Sequence, residues 1–185
     1  MSAAAQVAEK LQHVIQGEFA VTDDTNIVLT AILGSCVACC LHDPIARVGG
    51  MNHFLLPGDE SAGDDSLRYG VNSMELLING LLRRGARRDR LEAKLFGGAR
   101  VLAGLSDVGA QNAAFARRFL KEEGIPCIGE SLGGNQARRV RFSPTTGAAR
   151  QLLLDKVDQS TLAVETPRRK APEKAPECSG DLDLF

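Results

Sequence analysis

The sequence predicts an α/β protein in which β-sheet dominates and the helices lie outside it. Three observations lead there. Short apolar runs rich in Val, Ile and Leu recur at strand length, bounded by glycine and turn residues. Two longer stretches carry apolar residues at helical spacing. Nineteen glycines and no tryptophan favour many tight turns over long helices. The 185 residues suffice for one sizeable core and a short appendage.

Composition narrows the function classes. Hydrophobic residues make up 44% and charged residues 24%, as in ordinary soluble globular proteins. A net charge of −1 supplies no global field toward nucleic acid or a membrane surface. No basic segment followed by an apolar one opens the chain, and the longest apolar run, residues 30–41, is too short to span a bilayer. Five cysteines, three of them at 36, 39 and 40, match no disulfide framework. A reducing cytoplasm is the expected compartment, where thiols stay free as nucleophiles or ligands.

The elements follow in order. Residues 1–13 read as a frayed N-terminal segment. Residues 14–21 read as one strand with Gly17 as a bulge. After turn residues 22–26, strands are expected over 27–31 and 36–41. His42-Asp43-Pro44 turns the chain, and 45–48 and 51–56 continue as strands around Gly49 and Gly50. Residues 57–65 form a polar loop. Asn72 or Ser73 caps a helix to Arg84, with Met74, Leu77, Ile78, Leu81 and Leu82 on one face and Gly85 just past its end. A strand over 91–96 precedes Gly97 and Gly98. A second helix over 108–124 turns Val108, Phe115, Phe119 and Leu120 inward. A strand over 125–128, a loop at Gly133-Gly134-Asn135 and a hairpin over 140–157 complete the domain, taken as residues 14–165. Residues 166–185 are a Pro/Lys/Arg-rich linker ending in an acidic-hydrophobic tail. Asp181-Leu-Asp-Leu-Phe185 suits either a docking peptide that orders on binding or a plain disordered end.

The chemistry concentrates between Thr30 and His53. A nucleophilic cysteine needs a base within reach and donors aimed at the developing oxyanion. Gly34-Ser35-Cys36 can turn successive amide N–H groups toward one point. His53 lies one hairpin away, within cross-strand reach of Cys36, and the hydroxyl of Thr30 can orient the imidazole. Other readings stand beside this one. A Cys and a His on apolar strands are commonly plain core residues. Cys36-Val-Ala-Cys39 matches a C-x-x-C redox motif, although Val37 and Pro44 favour a strand over the required helix start. Cys36, Cys39, His42 and His53 form a conceivable zinc set, but no second ligand pair accompanies them. The glycine pairs match neither a dinucleotide fingerprint nor a P-loop. Arg83, Arg84, Arg87, Arg88 and Arg90 read as a solvated helix end or, more sharply, as a patch for an acidic protein partner.

Three separated motifs then resemble the CheD family of chemoreceptor glutamine deamidases. They are Thr30-Ala-Ile-Leu-Gly-Ser-Cys36 with Gly50-Met-Asn-His53, Arg90-Leu-Glu-Ala-Lys-Leu-Phe-Gly97-Gly98, and Gly133-Gly134-Asn135-Gln-Ala-Arg138. The resemblance covers most of residues 14–158. It implies a sandwich of β-sheets with helices packed outside, similar to the catalytic domain of cytotoxic necrotizing factors. It implies a Cys36–His53–Thr30 triad, oxyanion donors near Gly34 and Ser35, and substrate contacts from Gly97, Gly98, Gly134, Asn135 and Arg138, with no cofactor or metal. The implied activity is that of a protein-glutamine glutaminase acting, as a monomer, on the cytoplasmic helices of methyl-accepting chemotaxis receptors. A CheC-type phosphatase is the implied second partner. The competing function is a non-catalytic chemotaxis adaptor that binds receptors or such a phosphatase.

Overall fold

The computed structural model describes residues 9–56, 63–100 and 107–154. Among them, nine strands form two sheets and two helices pack on one of these. The strands are β1 (Lys10–His13), β2 (Phe19–Thr22), β3 (Ile27–Leu33), β4 (Val37–Asp43), β5 (Val48–Asn52), β6 (Glu92–Gly97), β7 (Cys127–Leu132), β8 (Arg138–Ser143) and β9 (Ala148–Leu153). The helices are α1 (Gly63–Leu82) and α2 (Val108–Glu122), with a 3-10 turn at Arg88–Arg90. One sheet has the order β1-β3-β8-β9 and the other β2-β5-β4-β6-β7.

Strand alternation decides the layers. Every residue of β4 is buried, so both its faces must meet apolar partners. Val37, Cys39 and Leu41 join Met74, Leu77, Ile78 and Leu81 of α1 and Phe115 and Phe119 of α2. Ala38 and Cys40 point the other way, onto Leu29, Ala31 and Leu33 of β3 and Val140 and Phe142 of β8. The result is three layers: four-stranded sheet, five-stranded sheet, helices. The α/β class with a sheet sandwich and outer helices is therefore what the chain adopts, with both helices against the five-stranded sheet.

Several boundaries differ from those expected. Lys10–His13 is not frayed: it pairs in parallel with β3, from Lys10 opposite Ile27 to His13 opposite Thr30. Residues 14–21 are not one bulged strand. Gly17 takes φ +88° in a turn closed by Glu18 N–H to the Ile15 carbonyl at 3.0 Å, and the chain crosses there from one sheet to the other. Gly49 and Gly50 lie inside β5 because the Pro144 and Ala20 carbonyls press against them, leaving no space for a Cβ. Helix α1 starts at Gly63, inside the expected loop and well before Asn72. Its first half is mostly exposed and shows no apolar stripe, so periodicity reveals only the second half. The strand placed over 125–128 instead runs over Cys127–Leu132. The tail over 166–185, with its Asp181–Phe185 end, lies outside the described residues.

Among the described residues, four of the five arginines in the cluster, all but Arg83, carry an acidic partner. Arg84 pairs with Asp23 at 2.9 Å, Arg87 with Asp89 at 3.0 Å, Arg88 with Glu75 at 3.5 Å and with Glu123, and Arg90 with Asp43 at 2.9 Å. Asp43 is the buried member, 0% exposed. One of its oxygens accepts from the Ile45 and Ala46 N–H groups at 2.9 Å each, and the other from Arg87 N–H at 2.9 Å and Arg90 Nε at 3.0 Å. It ties the β4–β5 turn to the segment after α1. Burial opposes its ionisation, but these donors outweigh burial and hold the carboxyl below the usual carboxylate range. A depressed folded pKa means that the stabilisation is present above the ordinary carboxylate value and disappears as pH falls through the folded one. Asp43→Asn is expected to lower stability at neutral pH by about 3 kcal/mol, the low end for a broken buried pair because Arg90 keeps some access to water. Urea unfolding across a pH series should show that difference shrinking in acid.

Candidate active site

Cys36 and His53 sit where β4 begins and β5 ends. The register of β4 with β5 sets Cys40 opposite Met51, and an isolated bridge sets Val37 opposite Phe54. Ala38 therefore lies opposite His53, and Cys36, in the bend that leads into β4, is two residues from Ala38 and keeps to the same side. Cys39 faces the helices instead, and strand alternation separates it from Cys36. Among the described residues no group of three or more His, Cys, Asp or Glu side chains could hold a metal ion.

The thiols differ in their surroundings. Burial raises Cys39 well above the ordinary thiol value, helped by Cys40 and Cys127, and burial also raises Cys40. Both stay protonated and inert in the core. Cys36 is 9% exposed, at the rim of the sheet, with Sγ 3.9 Å from Oε1 of Gln16.

His53 is 1% exposed. Its Nδ1 lies 3.0 Å from the Val14 carbonyl, which can only accept, so Nδ1 carries the proton and Nε2 the lone pair. Nε2 is buried with no hydrogen-bond partner among the described residues. Burial lowers the histidine pKa, partly countered by the Val14 hydrogen bond. The ring is thus a neutral imidazole with one nitrogen fixed and the other ready to accept. The backbone is equally fixed: His53 N–H donates to the Glu18 carbonyl at 3.0 Å, and the His53 carbonyl accepts from Gly17 at 2.7 Å.

The expected contact between the Thr30 hydroxyl and the imidazole is not made. Thr30 Oγ1 donates to the Val140 carbonyl at 2.8 Å, because its position on β3 turns it away from the layer that holds Leu29 and Ala31. Its own carbonyl accepts from Val14 N–H at 2.9 Å. Thr30 anchors the residue that orients His53, one step removed from the ring.

The Gly34-Ser35-Cys36 loop is held by its carbonyls. Gly34 O accepts from Ala99 N–H at 2.8 Å, Ser35 O from Asn112 Nδ2 at 3.0 Å, and Cys36 O from Gly98 N–H at 2.7 Å. Gly97 takes φ +111° with the Cys36 carbonyl against it, a place that no side chain can share. Gly133 N–H donates to the Gly97 carbonyl at 2.9 Å, and Arg100 N–H to the Gly134 carbonyl at 2.8 Å. Arg138 is buried, and its guanidinium donates to the Ser131 carbonyl at 2.6 Å and to the Gly133 carbonyl. Gly97, Gly98, Gly134 and Arg138 thus brace the Gly34-Ser35-Cys36 loop and the loop beside it.

Sequence reasoning missed Asn112 and Asn52. Asn112 is fully buried, and its Oδ1 accepts from Leu56 N–H at 2.8 Å while its Nδ2 holds Ser35. The signal was present: Asn112 falls at helical spacing between Val108 and Phe115, a polar residue on the inward face of α2. Asn52 Oδ1 accepts from Cys39 N–H at 2.9 Å, and its Nδ2 reaches Ser73 Oγ at 3.2 Å, joining β4 to α1.

The fold and the site define an α/β two-sheet sandwich with outer helices that holds a thiol and a fixed neutral imidazole at one end of its central strands. The comparisons name the family. The family sequence model described as CheD chemotactic sensory transduction matches residues 55–151. A Sinorhizobium medicae protein named "Probable chemoreceptor glutamine deamidase CheD" is 58% identical over 177 residues, covering 94% of this chain and 96% of its own. An Agrobacterium fabrum protein of the same name is 54% identical over 182 residues, covering 97% and 99%. Among solved structures, the hypothetical protein YfiH of Bacillus licheniformis superposes with TM-score 0.44 and 14% identity over 70% of this chain and 61% of its own. The chain belongs to the CheD family.

Asn112→Ala is expected to leave the Ser35 carbonyl and the Leu56 amide unpaired. That should cost about 1–3 kcal/mol in urea unfolding, against a much smaller effect for an exposed α2 position such as Gln111→Ala.

Proposed function

We propose that the chain is a protein-glutamine glutaminase that converts glutamine side chains of methyl-accepting chemotaxis receptors to glutamate, with Cys36 as nucleophile and His53 as general base and acid. The observation that carries the reading is the state of His53. One ring nitrogen is tied to a backbone carbonyl and the other is buried and open, on the same side of the strand pair as Cys36. Membership in a family whose relatives are named chemoreceptor glutamine deamidases supplies the substrate.

The chemistry follows from that geometry. His53 Nε2 takes the thiol proton, and the thiolate attacks the substrate carboxamide carbon, forming a C–S bond while the carbonyl electrons move to oxygen. Backbone N–H groups at Gly34, Ser35 and Cys36 receive that oxyanion. The imidazolium returns its proton to the amide nitrogen, the C–N bond breaks and ammonia leaves. His53 then takes a proton from water, which attacks the thioester; the C–S bond breaks, the product leaves as the carboxylate, and the imidazolium returns its proton to the Cys36 sulfur. Val14 keeps the ring in one tautomer throughout, and Thr30 keeps Val14 in place. Gly97, Gly98, Gly134 and Arg138 support the loop, and Asn135 lies at the loop tip, where it can meet substrate. Each turnover places a negative charge on a receptor helix. Such helices lie in the cytoplasm, and no helix among the described residues is long and apolar enough to cross a membrane. A monomer that meets a CheC-type phosphatase as a second partner completes this reading.

Incubation of the purified chain with a receptor cytoplasmic fragment, followed by peptide mass spectrometry, tests it. Cys36→Ala should slow conversion of receptor glutamine by roughly 10³-fold or more. Conversion at the wild-type rate would end the proposal. Because burial depresses the His53 pKa, the acidic limb of kcat/KM should fall below the ordinary histidine value of about 6.5. A limb that stays on the alkaline side of that value would show that another group is the base.

A further inference from the structure

The geometry points to Gln16 as a further catalytic residue, a side-chain carboxamide that serves the sulfur at rest and the oxyanion during turnover. The inference rests on Cys36 being the nucleophile. Its first ground is contact: Gln16 Oε1 lies 3.9 Å from Cys36 Sγ, across 20 residues of sequence. The residue is half-buried, so it touches the thiol and also reaches the solvent-exposed surface.

The second ground is preorganisation. Gln16 occupies the first corner of the turn closed by Glu18 N–H on the Ile15 carbonyl, and Gly17 at φ +88° fills the second. A positive φ at the second corner is the mark of a type II turn. That turn is bonded on both sides to His53, through Gly17 N–H to the His53 carbonyl and His53 N–H to the Glu18 carbonyl. Two residues earlier, the Val14 carbonyl receives His53 Nδ1. One five-residue segment therefore orients the base and sets a carboxamide beside the nucleophile. A donor held in place before the reaction begins needs little reorganisation in the transition state.

The third ground is chemical. A carboxamide carries an acceptor oxygen and a two-proton donor nitrogen, and a half-turn about its terminal bond exchanges them. With the oxygen toward sulfur, Gln16 accepts a hydrogen bond from the resting thiol. With the nitrogen there, it donates to the thiolate and then to the oxygen of the tetrahedral intermediate. That oxygen is two bonds from the sulfur, and an effective donor sits roughly 2.7–3.1 Å from it, a range a nitrogen near Sγ can meet. Gln16 neither gains nor loses a proton in the cycle. The thiol proton goes to His53 and leaves with ammonia, and Gln16 contributes hydrogen bonds alone. The backbone N–H groups of Gly34 to Cys36 and the Gln16 side chain then approach the oxyanion from two chain segments.

The test compares wild type, Gln16→Met, Gln16→Glu and Cys36→Ala on the receptor cytoplasmic fragment, with urea unfolding as a fold control. Methionine keeps the size without the donor, and glutamate keeps the shape but offers only acceptors at neutral pH. Both Gln16 variants should lose about 10²-fold in kcat with little change in KM. If Cys36→Ala is inactive while both Gln16 variants stay within about twofold of wild type, the Gln16 role is overturned and the nucleophile stands. If Cys36→Ala remains active, the nucleophile reading falls and the Gln16 role with it. A faster Gln16→Met enzyme would make the side chain a plug of the substrate site and overturn the donor role. So would conversion of Gln16 itself to glutamate in wild type, seen by mass spectrometry, which would make it a substrate.

Discussion

The complete burial of β4 is the constraint on which the rest depends. A strand with no wet face must satisfy two apolar layers at once, so its odd and even residues go to different cores. A shift of one residue would send Cys36 toward the helices and bring Val37 to the inter-sheet side. The pairing of Cys40 with Met51 and of Val37 with Phe54 therefore does two things: it fills both cores and delivers Cys36 and His53 to the same side. The placement of Cys36 beside His53 is a by-product of a packing requirement far larger than itself.

Elements whose sequence pattern comes from burial were readable in advance. The inward face of α2 and the second half of α1 follow apolar spacing, and β3, β4 and β6 follow apolar runs. Elements held by backbone contacts were not. β1 is a strand only because β3 offers it an edge, and nothing in Lys10-Leu-Gln-His13 announces that. The start of α1 carries no stripe. The candidate site divides in the same way. Cys36, His53 and Thr30 could be proposed from residue type and separation, and the CheD resemblance joined them into a triad. The atom that holds the imidazole is a main-chain oxygen of Val14, and a carbonyl belonging to any residue leaves no trace in a residue pattern.

The glycine-rich motifs illustrate a similar displacement of role. Gly97, Gly98 and Gly134 invite assignment to substrate because glycines often permit close approach. Here what approaches closely is the chain itself: the Cys36 carbonyl lies where a Gly97 side chain would be. Asn112, from the opposite side, closes the brace on Ser35. The groups proposed to react come from residues 14–53, whereas those that brace the Cys36 loop and its neighbour come from residues 97–138. Change in the second set can reshape the site without altering its chemistry.

β1 has a consequence of its own. It is a four-residue strand at a sheet edge, every residue exposed, and the chain leaves it directly into Val14. Short exposed edges open locally at much lower free energy than the whole domain unfolds. The carbonyl that orients the His53 ring follows directly on that edge, so local opening there reaches the ring sooner than it reaches the cores. Heat or mild denaturant should misalign the imidazole in molecules whose two cores are still intact, so competence and foldedness part company at the edge before they do at the centre.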